Sequence, residues 1–291
     1  MKTRNLLLGM ACMAAFTACS NNEEPVVPAA KTRAVTINVS TGADTRTVLA
    51  VDGVGLKRTW ASTDKLALLF LDADNNKVFE EFDLKSGAST TSATFEKSDS
   101  QLPASGVTKV LVWVDPENRS DACFDISTQD GSLDNYDYGL RNNDWLVTET
   151  TVTDGAFPSD LTLESKSIFL KIPAGTKLVN YVTGDHNVEI YVYNDNIVRR
   201  YNFSINTDGN FNYVKATSGD VYAKSVALKD GALVNDCYIA MLAEDNITSL
   251  SLKVVEEDES FTEEIAVRVL KSSLQFGHIY NITQDDLTLC D

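Results

Sequence analysis

The sequence is poor in the residues from which hydrolytic and metal centres are assembled. It has two histidines, His186 and His278, so a His-based hydrolytic dyad or a polyhistidine metal site has almost no material. Its five cysteines contain no Cys-x-x-Cys pair, which leaves zinc-ribbon and dithiol chemistry without suitably spaced ligands. No GxSxG elbow, HExxH helix, P-loop or GxGxxG turn is present. Carboxylates are abundant, yet no pattern marks one pair as the acid and nucleophile of a glycosidase. The expectation is therefore a protein that is not an enzyme and needs no cofactor. Basic residues are also scarce: 25 Lys and Arg face 42 Asp and Glu, a net charge of −17. That balance repels phosphate backbones and excludes nucleic acid as a partner. Only six prolines accompany 43% hydrophobic residues, which argues for a packed core rather than a disordered chain.

Long apolar runs are absent as well. The N-terminal run is too short to span a bilayer: Lys2 and Arg4 precede Leu6-Leu7-Leu8, and Met, Ala and Phe residues carry it to Ala18. A basic start, an apolar middle and small residues at the end make residues 1–18 an export signal. Phe16-Thr17-Ala18-Cys19 is similar to the lipobox of bacterial lipoproteins, in which the cysteine is acylated and becomes the mature N-terminus. That resemblance makes Cys19 the lipidation site; the alternative is an ordinary signal cut near Ala18. Residues 19–32, with Glu23-Glu24, Pro25 and Pro28, read as a polar, extended tether. The acidic pair resembles the export tag that sends lipoproteins of the Bacteroidetes to the outer face of the outer membrane, with the inner leaflet as the alternative. Of the body cysteines Cys123, Cys237 and Cys290, one pair bridges in an oxidising compartment or all three are simply buried.

What the body does have is alternation with period two and almost no helical period. The mature chain of about 260 residues fits two domains of ordinary size. Strand patterns run over Ala34–Ser40, Lys65–Leu71, Val78–Leu84, Ala93–Phe95, Val107–Val114, Trp145–Val147 and Leu161–Glu164, then restart at Ile168 and continue to Ile282. Lys65–Leu71 is an apolar run after its first residue, the mark of a strand covered on both faces. Thr207-Asp208-Gly209-Asn210 and Lys229-Asp230-Gly231 are hairpin signals. Residues 118–143 lack periodicity and read as a long surface excursion with one helical turn. The fold class is all-β: two tandem antiparallel β-sandwiches, residues 33–165 and 166–291.

Competing readings of the conspicuous clusters are structural. Asp72-Ala73-Asp74-Asn75-Asn76-Lys77 places oxygens as a calcium loop does, but Lys77 stands where that loop needs Gly and Asp83 where it needs Glu, so it reads as a turn. Glu256–Glu259 with Glu263-Glu264 reads as a solvated hairpin tip. Trp60 and Trp113 adjoin apolar strand residues and belong in the core. Trp145, beside Tyr136 and Tyr138, is the better candidate for an exposed ligand platform.

Several segments together resemble the fimbrillin-like (Mfa-like) lipoproteins of the Bacteroidetes. They are the lipobox cysteine, a first strand at Val35–Ser40, Arg46 in the loop after it, Thr59-Trp60-Ala61-Ser62-Thr63-Asp64-Lys65 before an apolar strand, and Phe276-Gly277-His278-Ile279-Tyr280-Asn281-Ile282-Thr283 near the end. The resemblance implies two transthyretin-like sandwich domains and a structural, adhesive subunit of fimbriae at the outer-membrane surface. It implies cleavage between Arg46 and Thr47 and loss of the strand carrying Val35, Ile37 and Val39. Strand addition from another subunit then fills the groove, with Arg33 as a competing cleavage site. The partners implied are other fimbrial subunits, the outer membrane through the N-terminal lipid, and a host or bacterial surface ligand. The residues after Thr283 are short for a donor strand, although Leu287 and Leu289 alternate. The alternative is a non-polymerising surface lipoprotein that binds glycans or host ligands through residues 118–145.

Overall fold

The computed structural model describes residues 32–41, 59–115, 122–126, 128–133, 143–218, 221–243, 247, 249–258, 261–267 and 274–289. Among them there is no α-helix, and no helix long and apolar enough to cross a membrane. The first half contributes β1 (Arg33–Thr41), β2 (Lys65–Leu71), β3 (Lys77–Ser86), β4 (Ser92–Ser100), β5 (Val107–Asp115), β6 (Cys123–Asp125), β7 (Thr128–Gln129), β8 (Leu146–Thr153) and β9 (Leu161–Ser165). Seven of these close a barrel in the order β1-β4-β3-β2-β5-β8-β9. Turn chemistry sets the connections. Asp72 Oδ1 accepts the amides of Asp74 and Asn76 at 2.9 and 2.8 Å, and Asn75 takes φ +62°. That is an Asx turn joining β2 to β3.

The second half contributes β10 (Ile168–Ile172), β11 (Asp185–Tyr193), β12 (Ile197–Ile205), β13 (Phe211–Ser218), β14 (Val221–Lys229), β15 (Ala232–Leu233), β16 (Cys237–Ala243), β17 (Leu250–Glu256), β18 (Thr262–Val267), β19 (Ile279–Asn281) and β20 (Leu287–Leu289). They form a six-stranded sheet, β13-β12-β16-β10-β19 with β6 on β12, and a seven-stranded sheet, β15-β14-β11-β17-β18-β20 with β7 on β14. Pairing at the ends repeats between the halves. β1 is antiparallel to β4 and parallel to β9; β10 is antiparallel to β16 and parallel to β19.

The apolar run of β2 is buried on both faces because two cores meet at it. Leu66, Leu68 and Phe70 point into the barrel with Phe82, Phe95, Val110 and Val112. Ala67 and Leu69 point outward, with Leu111 and Trp113 of β5, into a core shared with Phe203, Val198 and Met241 of the second half. Each large side chain so enclosed stabilises the fold by roughly 1.5–3 kcal/mol. The expected division between residues 165 and 166 is thus crossed by a common core.

The excursion differs from its expectation. Residues 122–126 and 128–133 are not a surface loop but an inserted segment: Cys123, Phe124, Ile126 and Gln129 are all buried. β6 pairs with β12 and β7 runs parallel to β14. The reason is that this stretch bonds to distant strands, and such pairing leaves no local period in the sequence.

Candidate strand-exchange site

β1 is built from alternation. Val35, Ile37, Val39 and Thr41 are buried, and Ala34, Thr36 and Asn38 face solvent. The inward row packs in the barrel core beside Phe95, Phe82 and Leu161. The antiparallel ladder to β4 runs from Arg33 opposite Ser100 to Ser40 opposite Ser92, with an irregularity between Arg33 and Val35. The parallel ladder to β9 covers only Val39, Ser40 and Thr41. On the outer face Thr94 Oγ1 donates to Asn38 Oδ1 at 2.9 Å and Ser40 Oγ meets Thr162 Oγ1 at 3.2 Å. That face borders a polar cleft of about 390 Å³ reaching Ser159 and Asp160. The strand therefore carries all its apolar anchors on one side.

Both ends of β1's surroundings are fixed. At one end the Arg33 guanidinium donates from Nη2 to the Gly155 carbonyl at 2.7 Å and from Nε to the Leu102 carbonyl at 3.3 Å. At the other, the Thr41 amide donates to Thr91 O at 3.0 Å, while the Trp60 amide donates to Thr90 O at 2.9 Å. The chain thus leaves and re-enters the described residues side by side on one turn. Thr59–Lys65 explains itself here. Trp60 is 1% exposed and meets Phe95 edge-on at 5.1 Å, and buried Asp64 caps the turn by accepting the Ala61 amide at 2.8 Å.

Among the sequence-derived site residues, Val35, Ile37 and Val39 share one buried row. Cys19, Arg46, Thr47, Tyr136 and Tyr138 lie outside the described residues, as does Cys290. Cys123 and Cys237 are buried, and burial pushes the Cys237 thiol up to about 12.

Trp145 is not an exposed platform. It is 6% exposed and stacks on Phe203 at 5.4 Å, Tyr201 at 5.5 Å and Phe124 at 5.7 Å between ring centroids. Its backbone amide donates to Ser167 Oγ at 2.9 Å and its carbonyl accepts the Lys166 amide at 2.9 Å. The aromatic partners come from β6 and β12, which the sequence around Trp145 does not reveal.

One charged arrangement escaped the sequence reading. His186 at the start of β11 sets Nδ1 2.5 Å from Glu256 Oε1 and Nε2 3.1 Å from the Thr183 carbonyl. Both partners are acceptors, and only the imidazolium has a proton on each nitrogen. The Glu256 carboxylate first, and the Thr183 carbonyl second, raise its pKa above the ordinary 6.5. A raised folded-state value means the stabilisation is complete below the unfolded pKa and is lost as pH rises through the folded one. The thermal midpoint of the wild type relative to His186→Asn is expected to be higher in mildly acidic buffer, and the gap should close toward alkaline pH. A gap that is constant across that range would remove the imidazolium from the account.

No protein-family model and no curated protein matches the chain. Solved structures do. A candidate cell adhesion protein from Bacteroides uniformis is 12% identical, with 88% of this chain and 96% of that one covered and a TM-score of 0.47. A fimbrial assembly protein from Parabacteroides distasonis is 13% identical, with 90% and 100% covered and a TM-score of 0.39. The fimbrial anchor protein Mfa2 from Porphyromonas gingivalis is 12% identical, with 80% and 82% covered and a TM-score of 0.34. The chain is thus similar to cell-adhesion and fimbrial proteins of the Bacteroidetes, the class its sequence segments resemble.

Proposed function

We propose that this protein is a structural and adhesive subunit of cell-surface fimbriae, exported as a lipoprotein through Cys19 and assembled by strand exchange after a cut between Arg46 and Thr47. The observation that carries the reading is β1 itself. It is a strand near the chain's start that closes the barrel between β4 and β9 and supplies one row of apolar side chains, Val35, Ile37 and Val39. Removing it would uncover two ladder edges and the pockets of that row. Leaving each of those side chains' sites empty would cost roughly 1.5–3 kcal/mol, so the vacated groove favours a replacement strand with the same alternation. The repeated end-pairing of the two halves supports two tandem transthyretin-like units, 33–165 and 166–291. The burial of Trp145 removes one of the three residues, with Tyr136 and Tyr138, on which the glycan-binding alternative was placed.

The cut alone does not free the strand in this account. β1 stays in place through its ladders and through Arg33 until an incoming strand displaces it. Intact-mass measurement on outer-membrane material is expected to show an acylated Cys19 precursor, assemblies resistant to mild detergent, and subunits beginning at Thr47 within those assemblies. Uncut monomer alone, with no assemblies and no chain starting at Thr47, would reject strand exchange.

A further inference from the structure

The two edges of β1 are held unequally. Toward β4 the ladder runs from Arg33 to Ser40, whereas toward β9 it begins only at Val39. The Arg33 half of the strand thus lacks backbone pairing on the β9 side. In its place the guanidinium reaches across to the turn between β8 and β9 and donates to the Gly155 carbonyl at 2.7 Å, with a second bond to the Leu102 carbonyl at 3.3 Å.

Both acceptors are built into rigid supports. Asp154 and Gly155 take φ +49° and +72°, and Thr153 and Ala156 exchange backbone hydrogen bonds at 3.2 and 2.9 Å. That is the two-residue turn in which Asp-Gly is favoured. The Asp154 carboxylate further accepts the Gly106 amide at 2.9 Å. A Cβ at position 155 would overlap Arg33 Nη2, so the guanidinium lies against the glycine's bare face. Leu102 is positioned by buried Glu80, which accepts from Ser100 Oγ at 2.6 Å and from the Gln101 amide at 2.7 Å, while Ser100 Oγ accepts the Leu102 amide at 3.1 Å.

We propose that Arg33 is a retention latch, a positioning residue that ties the open half of β1 to the β8–β9 turn and sets how readily an incoming strand displaces it. The inference rests on the strand-exchange reading and adds its control point. It also separates the two arginines. Arg33 has its guanidinium engaged by two carbonyls and is withheld from a protease that must take up a free arginine side chain. In strand displacement the invading chain gains pairing one residue at a time, and the Arg33 half is the section with a single ladder to break. Charge-assisted bonds there stand in the way of invasion from that side.

The test uses the full chain with a site-specific protease sequence inserted after Arg46, cut once, and mixed with excess labelled peptide of the sequence Arg33–Thr41. Peptide uptake and loss of the native fragment are followed by size exclusion and mass. Arg33→Ala is expected to exchange about tenfold to a hundredfold faster than wild type, the loss of hydrogen bonds from a charged donor. Arg33→Lys, which keeps the charge but not the fork, should fall between. Gly155→Ala should approach Arg33→Ala, because its Cβ displaces the guanidinium. Lys97→Ala, which removes a cation from the facing strand β4, should leave the rate unchanged. Equal rates for wild type, Arg33→Ala and Arg33→Lys would overturn the latch and leave strand exchange standing. A nicked chain that takes up no peptide in any variant, short of global unfolding, would overturn both.

Discussion

Trp145→Ala is expected to destabilise the whole chain by about 3–5 kcal/mol, the range for removing a large aromatic side chain from a packed core. The indole is sandwiched against Phe203 and Phe124, reaches Tyr201, and meets Tyr213 edge-on at 6.1 Å. Phe203 in turn meets Trp113 at 5.1 Å. Truncation would open a void lined by rings from β6, β12 and β13, and those elements cannot all close it at once. Stacked aromatic pairs add about 0.5–1.5 kcal/mol beyond their buried area, so the lost contacts reinforce the cavity. Trp145→Phe is the informative companion. Among the described residues the indole Nε1 has no hydrogen-bond partner, so a phenyl ring gives up volume but no polar contact and should lose clearly less. Urea unfolding followed by tryptophan fluorescence and circular dichroism would measure both. A Trp145→Ala chain as stable as wild type would remove the aromatic cluster as the joint between the halves.

That cluster shows where sequence reading succeeds and where it stops. Alternation revealed the inward row of β1, and the apolar run Leu66–Leu71 revealed a strand covered on both faces. Hairpin chemistry was legible where two residues settle it: Asp230 and Gly231 take φ +50° and +79° between β14 and β15. Strands held by ladders rather than by burial were cut short. β4 extends through Glu96-Lys97-Ser98-Asp99-Ser100, and β8 through Thr148-Glu149-Thr150-Thr151, because backbone hydrogen bonds hold a polar strand as well as an apolar one. The Asp154-Gly155 turn that follows β8, closed by the Thr153–Ala156 bridge, was not singled out from the sequence.

The candidate site divides the same way. The apolar row Val35, Ile37 and Val39 needs only period two. Arg33's role needs the carbonyls of Leu102 and Gly155, 69 and 122 residues away in sequence, and no local pattern encodes such partners. Trp145 failed for the reverse reason. The residues before it, Asn142, Asn143 and Asp144, are polar, and the rings that bury it arrive from Phe124 and from strands more than fifty residues downstream.

Gln129→Leu is expected to cost about 2–5 kcal/mol and to loosen β6, β7 and β16 together. Gln129 is 0% exposed, and its side chain acts as a piece of backbone. Oε1 accepts the Ala240 amide at 2.7 Å, and Nε2 donates to the Ala240 carbonyl at 2.7 Å and to the Ile126 carbonyl at 3.3 Å. A residue from the inserted segment thus completes the edge of β16 at Ala240, next to the Leu242 and Ala243 positions that pair with β12. Leucine matches the size but strands both Ala240 groups, and each buried polar group left unmade costs about 1–3 kcal/mol. Lost protection of the Ala240 amide in hydrogen exchange is the direct readout, alongside a lower denaturation midpoint. Gln129→Glu separates the chemistry from the shape. The carboxylate still accepts from Ala240 but loses both donors and buries a charge, so at neutral pH it should be the worse variant. Burial raises a carboxyl's pKa, and the protonated acid regains one donor. Its deficit should therefore shrink as pH falls, while the leucine deficit stays level. A glutamate variant whose deficit grows on acidification would show that the Gln129 amide is not standing in for a strand.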